Sequence, residues 1–197
     1  MNNRPVIVLT GGPGGGKTTL INELAGDPAW AGRFAALPEA ISWVGGLGIS
    51  SSEKLFQRVM VQMQLALEDD LIRALSMQDQ RFLLCHRGSL DPLAYWLDRG
   101  WLEEEFFEFT GTTRQEHYQR YTGIIHLVTA ADGAQHAYHR WPDAHRPETT
   151  EQAIRLDRLL QQVWSGHLRY FRIGNEDCDW LTKAQKAREV LTELSTE

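Results

Sequence analysis

Eight consecutive residues, Gly11-Gly12-Pro13-Gly14-Gly15-Gly16-Lys17-Thr18, match the pattern G-x-x-x-x-G-K-[ST] in full. Each part has a chemical reason. A polyphosphate is dense with negative charge, and glycines let successive backbone N–H groups turn toward it without Cβ clashes. The helix that begins at the loop adds the positive end of its dipole. Lys17 brings a mobile ammonium to the β- and γ-phosphates, and the Thr18 hydroxyl is suited to Mg²⁺. Thr19 completes the first helical turn behind the loop. This predicts nucleoside triphosphate binding; by itself it does not choose among a kinase, a hydrolase and a switch.

Other residues narrow the chemistry. Glu39 follows a short apolar run, Phe34 to Leu37, where a strand end would face a ligand crevice. A carboxylate there can take a proton from an attacking hydroxyl or hold water around an ion; a solvated loop acid is the alternative. Arg87 ends the run Arg81 to His86 and would neutralise charge on a transferring phosphoryl group. Asp91 stands one short turn later, a second candidate acid of the site, expected to assist Mg²⁺ while Glu39 serves the acceptor hydroxyl. Beside Pro92 it also reads as a helix cap, which is its preferred reading taken alone. Arg140 and Arg146 lie in an aperiodic segment, 129–147, of the kind that closes over a nucleotide as a lid. The histidines of that segment keep no metal-ligand spacing. Most tryptophans are expected in the core; Trp43, beside Glu39, is expected to face an aromatic acceptor.

The elements that must position these residues are legible too. Apolar runs at 5–10, 34–38, 81–85, 123–128 and 170–173 read as buried strands. Helical patterns separate them, including a long amphipathic helix from Glu53 to Met77 and helices over 149–168 and 180–194. Thr149 with Gln152 reads as a capping box, and Asp179 as the cap of the last helix. Alternation of strand and helix predicts an α/β sandwich around a parallel sheet, in one domain over residues 1–197.

Composition bounds the rest. The chain has 197 residues, 42% hydrophobic and 23% charged, with net charge -6. With seven Trp, seven Phe and five Tyr, a packed core is expected rather than disorder. No basic stripe offers itself to duplex nucleic acid. No apolar run approaches the roughly 18 residues of a membrane span, and no secretory leader is recognised. Cys85 and Cys178 form no CxxC pair, so reduced thiols and a cytoplasmic setting are expected.

Gly11 to Thr18, Pro38-Glu39-Ala40, Arg87-Gly88-Ser89-Leu90-Asp91 with Ala94-Tyr95, and Arg146-Pro147-Glu148-Thr149 occur in an order that resembles a family of small AAA-like P-loop proteins. That family is similar to the ribosylnicotinamide kinase and, more distantly, to the deoxynucleoside and thymidylate kinases. The segment 126–134 and Trp164-Ser165-Gly166-His167 share the likeness. The resemblance implies a P-loop kinase-like three-layer fold with a five-stranded parallel sheet and a helical lid. It also implies an acceptor-side acid at Glu39, a phosphate-contacting Arg87, and lid arginines at Arg140 and Arg146. One position departs: His86 stands where related proteins usually carry Asp. The expectation is an ATP- and Mg²⁺-dependent phosphotransferase acting on a small hydroxyl-bearing, nucleoside-like acceptor, with Thr18 on the ion. An NTP hydrolase and a nucleotide-gated binding module are the alternatives, and a homodimer is left open.

Overall fold

A computed structural model describes residues 4–44, 48–75, 80–138, 148–176 and 179–196. Five strands form one sheet: β1 (Val6–Thr10), β2 (Phe34–Leu37), β3 (Phe82–His86), β4 (Gly123–Leu127) and β5 (Tyr170–Ile173). Their order is β2-β3-β1-β4-β5, and every pairing is parallel. β1, β3 and β4 are buried along their whole length, which is why they read as unbroken apolar runs rather than alternating ones. Among the described residues, eight α-helices connect and flank the strands: α1 (Lys17–Gly26), α2 (Ile41–Val44), α3 (Lys54–Leu75), α4 (Asp91–Asp98), α5 (Glu103–Thr110), α6 (Arg114–Gln119), α7 (Thr150–Trp164) and α8 (Trp180–Leu194).

The period of two along β1 divides the core. Ile7 and Leu9 join Leu20 and Leu24 of α1 and Ala187 and Leu191 of α8. Val6 and Val8 face the other way, onto Val61 of α3, Leu93 of α4 and Leu160 of α7. The result is three layers, helix on sheet on helix. Cys85 is buried in the second cluster, while Cys178 lies outside the described residues.

Both expected caps are present. Thr149 accepts from the Gln152 amide and Gln152 answers in a capping box, and the Asp179 carboxylate accepts from the Thr182 amide at 2.8 Å. The capping reading of Asp91 needs correction. α4 begins at Asp91 itself, its N-cap is Leu90, and no side chain caps it. The Asp91 carboxylate points instead into the molecule, where Thr10 and Trp164 hold it.

β1 lies between β3 and β4, so the chain leaves it in opposite directions on its two sides. In open parallel sheets a crevice opens at such a switch point, beyond the carboxyl ends of the strands. The loop after β1 and the ends of β2 and β3 meet there.

Candidate nucleotide and acceptor site

The first wall of the crevice is the loop between β1 and α1. Gly11 has φ 127°, and a Cβ there would collide with the carbonyl oxygen of Leu127. Gly16 caps α1 at φ 93°, and a Cβ there would strike the ring of Trp180. Only glycine permits both the dihedrals and the close approach. The Lys17 ammonium lies within the loop, donating to the carbonyls of Gly11 at 2.7 Å and Gly12 at 2.9 Å. Neighbours clasp the loop from outside. The Thr129 hydroxyl donates to the Pro13 carbonyl, the Ala130 amide donates to the Gly14 carbonyl, and the Tyr138 ring packs over Gly14.

One residue of this wall was not singled out in the sequence. Asp157, on α7 and 1% exposed, accepts from the Gly12 amide at 2.7 Å and from the Thr129 amide at 3.0 Å. It also meets His126 Nε2 at 3.1 Å and accepts from Gln161 at 2.8 Å. Burial raises its carboxyl, but the hydrogen bonds and charge of His126 and the Gly12 amide outweigh that and lower it. A signal existed: Asp157 stands on the apolar stripe of Ala153, Leu156, Leu160, Val163 and Trp164. A lone acid on such a stripe is costly unless it is fully hydrogen-bonded.

The second wall is built from side chains. Glu39 follows β2, and Arg87 follows β3, whose neighbour in the sheet is β2. Arg87 donates through Nε to Glu39 Oε1, and through Nη1 to Asp91 Oδ2 at 3.2 Å and to the Gly11 carbonyl at 3.4 Å. Its guanidinium also lies 5.6 Å from the centre of the Tyr95 ring. Its backbone is strained at φ 78°, the one positive-φ non-glycine among the described residues. The Arg87 amide donates to the Leu9 carbonyl and Gln64 donates to the Arg87 carbonyl, which fixes that turn. Burial would raise the Glu39 carboxyl, yet Arg87, then His86 and Lys17, lower it to about 2. Asp91 accepts from the Thr10 hydroxyl at 2.9 Å and from Trp164 Nε1 at 2.7 Å, so its oxygens serve to hold Arg87 and the end of β1. Trp43 is 45% exposed, whereas Trp96 and Trp164 are fully buried.

A divalent ion has one ready protein oxygen here, the Thr18 hydroxyl at the start of α1. His86 Nε2 lies 3.1 Å from it, and His86 Nδ1 lies 3.7 Å from Glu39 Oε2. Among the described residues no group of three or more His, Cys, Asp or Glu could hold a metal ion alone. That donor set fits Mg²⁺ bound with a polyphosphate, since Mg²⁺ keeps several waters and takes few protein ligands. The structure therefore brings Lys17, Thr18, Glu39, Arg87 and Asp91 to one crevice. Arg140 and Arg146 lie outside the described residues, as does the second part of the expected lid, 139–147. No helix among the described residues is long and apolar enough to cross a membrane.

The comparisons with known proteins follow this geometry. A family model described as an AAA domain matches residues 6–179. No curated protein matches the chain. Among solved structures, the NadR protein in complex with NR aligns at TM-score 0.66 and 16% identity, over 99% of this chain and 52% of that one. The NadR protein in complex with NAD and AMP-PNP gives 0.64 and 16%, over 99% and 50%. Deoxyadenosine kinase from M. mycoides with bound dATP gives 0.56 and 13%, over 95% and 99%. The chain thus spans about half the length of the NadR structures. These likenesses establish the fold as that of P-loop kinases.

Proposed function

The chain belongs to the AAA domain family, and from that premise we propose that it is a kinase, an ATP- and Mg²⁺-dependent phosphotransferase whose acceptor is a small, nucleoside-like molecule bearing a hydroxyl. One observation carries this reading. Arg87 spans the crevice, with Glu39 on one side of its guanidinium and the first carbonyl of the phosphate loop on the other. An acid joined to the phosphate loop through one arginine is what a hydroxyl-to-phosphoryl transfer needs, because both reacting groups are charged or become so. The structures bound to NR and to dATP support a nucleoside-like acceptor and a nucleotide donor.

In the proposed cycle the loop amides and the α1 dipole hold the triphosphate. Lys17 leaves the Gly11 and Gly12 carbonyls for the β- and γ-phosphates. Thr18 would hold Mg²⁺, and the ion would supply positive charge to the phosphate oxygens. The acceptor enters beside Glu39 and Trp43. Its oxygen forms a bond to the γ-phosphorus, the bond from that phosphorus to the ADP oxygen breaks, and the hydroxyl proton passes to Glu39 and then to water. A carboxyl held near 2 is a weak base, so Glu39 orients the hydroxyl early and receives the proton late, as suits a loose transition state. Arg87 neutralises charge on the phosphoryl group. Asp91 sets Arg87, and Arg140 and Arg146 complete the phosphate contacts from the lid.

The test is ADP production from ATP and Mg²⁺ across a panel of nucleosides and other small alcohols. Release of ADP that requires one acceptor class, with phosphate recovered on that acceptor, is the expected result. Equal phosphate release without any acceptor would make the chain a hydrolase. Negligible turnover with nucleotide-dependent capture of a protein would make it a binding module.

A further inference from the structure

His86 is the one titratable residue at the centre of the crevice to which the proposed cycle gives no task. It ends β3, is 6% exposed, and is in contact with groups of opposite demand on its two ring nitrogens. Nε2 is 3.1 Å from the Thr18 hydroxyl, a group able to donate or accept. Nδ1 makes no hydrogen bond and is 3.7 Å from Glu39 Oε2, a carboxylate oxygen that only accepts. A lone pair on Nδ1 would face negative charge; a hydrogen there would be attracted to it. The hydrogen therefore belongs on Nδ1, Nε2 carries the lone pair, and the Thr18 hydroxyl must donate to it.

We infer, on the reading of Thr18 as the protein ligand of the divalent ion, that His86 is the positioning residue for that ligand: as the Nδ1–H tautomer it takes the Thr18 hydroxyl hydrogen at Nε2 and aims the oxygen lone pairs at the ion. A carboxylate at this position would do the same while adding a negative charge. The imidazole does it without charge, so the ion meets a site one charge poorer. Magnesium then depends more on the nucleotide's own phosphates for its binding. The turn of phrase for this arrangement in metalloproteins is orientation from one layer out, and loss of such a partner weakens metal affinity by about 10–100-fold.

Two measurements on the full chain decide the matter, neither using turnover. Long-range ¹H–¹⁵N correlation spectra of uniformly labelled protein read the His86 tautomer, and Nδ1–H is expected. Paramagnetic resonance titrations of Mn²⁺ into the protein–AMP-PNP complex read ion affinity. His86→Leu should weaken Mn²⁺ by about 10-fold or more. His86→Gln, whose amide oxygen still accepts, should restore most of that, and His86→Asp should bind Mn²⁺ more tightly than the parent. AMP-PNP affinity in EDTA should be unchanged in His86→Leu and His86→Gln, which separates ion positioning from damage to the loop, whereas the added charge of His86→Asp should weaken AMP-PNP when no ion is present. An Nε2–H ring, or unaltered Mn²⁺ affinity in His86→Leu, overturns the inference alone. Absence of Mn²⁺ binding to the parent nucleotide complex overturns the reading of Thr18 and the inference with it.

Discussion

The two walls of the crevice are built from different materials. The phosphate wall, Gly11 to Thr18, is backbone: carbonyls and amides whose directions follow from glycine dihedrals and from the start of α1. The acceptor wall is side chain: Glu39, Arg87 and Asp91 hold one another by ion pairs across 48 residues of sequence between Glu39 and Arg87. A backbone site is stiff and recognises any polyphosphate. A side-chain site is adjustable and takes its selectivity from which groups surround the acceptor. On the proposed reading, the comparison teaches that a donor would be specified largely by the backbone of one loop and an acceptor by long-range packing of side chains.

Substitutions on each wall test that division, and the largest effect belongs to the phosphate wall. Lys17→Ala should lower turnover by about 10³-fold or more while circular dichroism is unchanged, because Lys17 serves charge rather than packing. Near-parental turnover in that variant would remove the loop from the chemistry. On the opposite wall, Glu39→Gln should lower kcat by about 10²–10⁴-fold and leave ATP affinity alone. A comparable loss of ATP affinity would show that the walls are not separable.

The same variant has a signature in acid. The Glu39 carboxyl is held at about 2 in the fold and titrates near 4.5 when free. A lowered folded value means stability that is present above pH 4.5 and is lost as the pH falls toward 2. Glu39→Gln should flatten the stability curve in that window in denaturant titrations, and Lys17→Ala, which removes a smaller contribution than Arg87 to the lowered carboxyl, should narrow it less. Asp157→Ala should act on the phosphate wall through position alone. It strands the buried amides of Gly12 and Thr129, each worth about 1–3 kcal/mol. The melting temperature should fall and KM for ATP rise, with kcat largely kept; a kcat loss as large as that of Lys17→Ala would place Asp157 among the reacting groups. The smallest effect is expected from Trp43→Ala. Loss of one stacking face, about 0.5–1.5 kcal/mol, should raise KM for an aromatic acceptor about 2- to 10-fold and leave KM for ATP unmoved.

How far the sequence could be read follows from the same difference. The central strands β1, β3 and β4 were legible because burial on both faces leaves continuous apolar runs; the edge strand β5, Tyr170–Ile173, is only partly buried yet falls where it was expected, as does α8, Trp180–Leu194, after the Asp179 cap. The phosphate loop was legible because its pattern is contiguous in sequence, although the close approaches that Gly11 and Gly16 permit, to Leu127 and Trp180, are long-range. Glu39 and Arg87 could be placed at strand ends, but not their ion pair, since that depends on β2 lying beside β3 in the sheet. Asp91 was misread as a cap because Asp-Pro is a local signal, whereas its partners Thr10 and Trp164 are 81 and 73 residues away. Asp157 escaped notice for the same reason: all that marks it locally is an acid on an apolar stripe.

Helix α7 touches both walls. Asp157 grips the Gly12 amide, and Trp164, seven residues or about 10 Å further along the axis, grips Asp91. If a rod fastened at two points tilts as one body, occupancy on one side would bias the geometry on the other. Thermodynamic linkage then imposes a strict symmetry. Whatever factor the triphosphate contributes to acceptor affinity through α7, the acceptor returns to triphosphate affinity in equal measure.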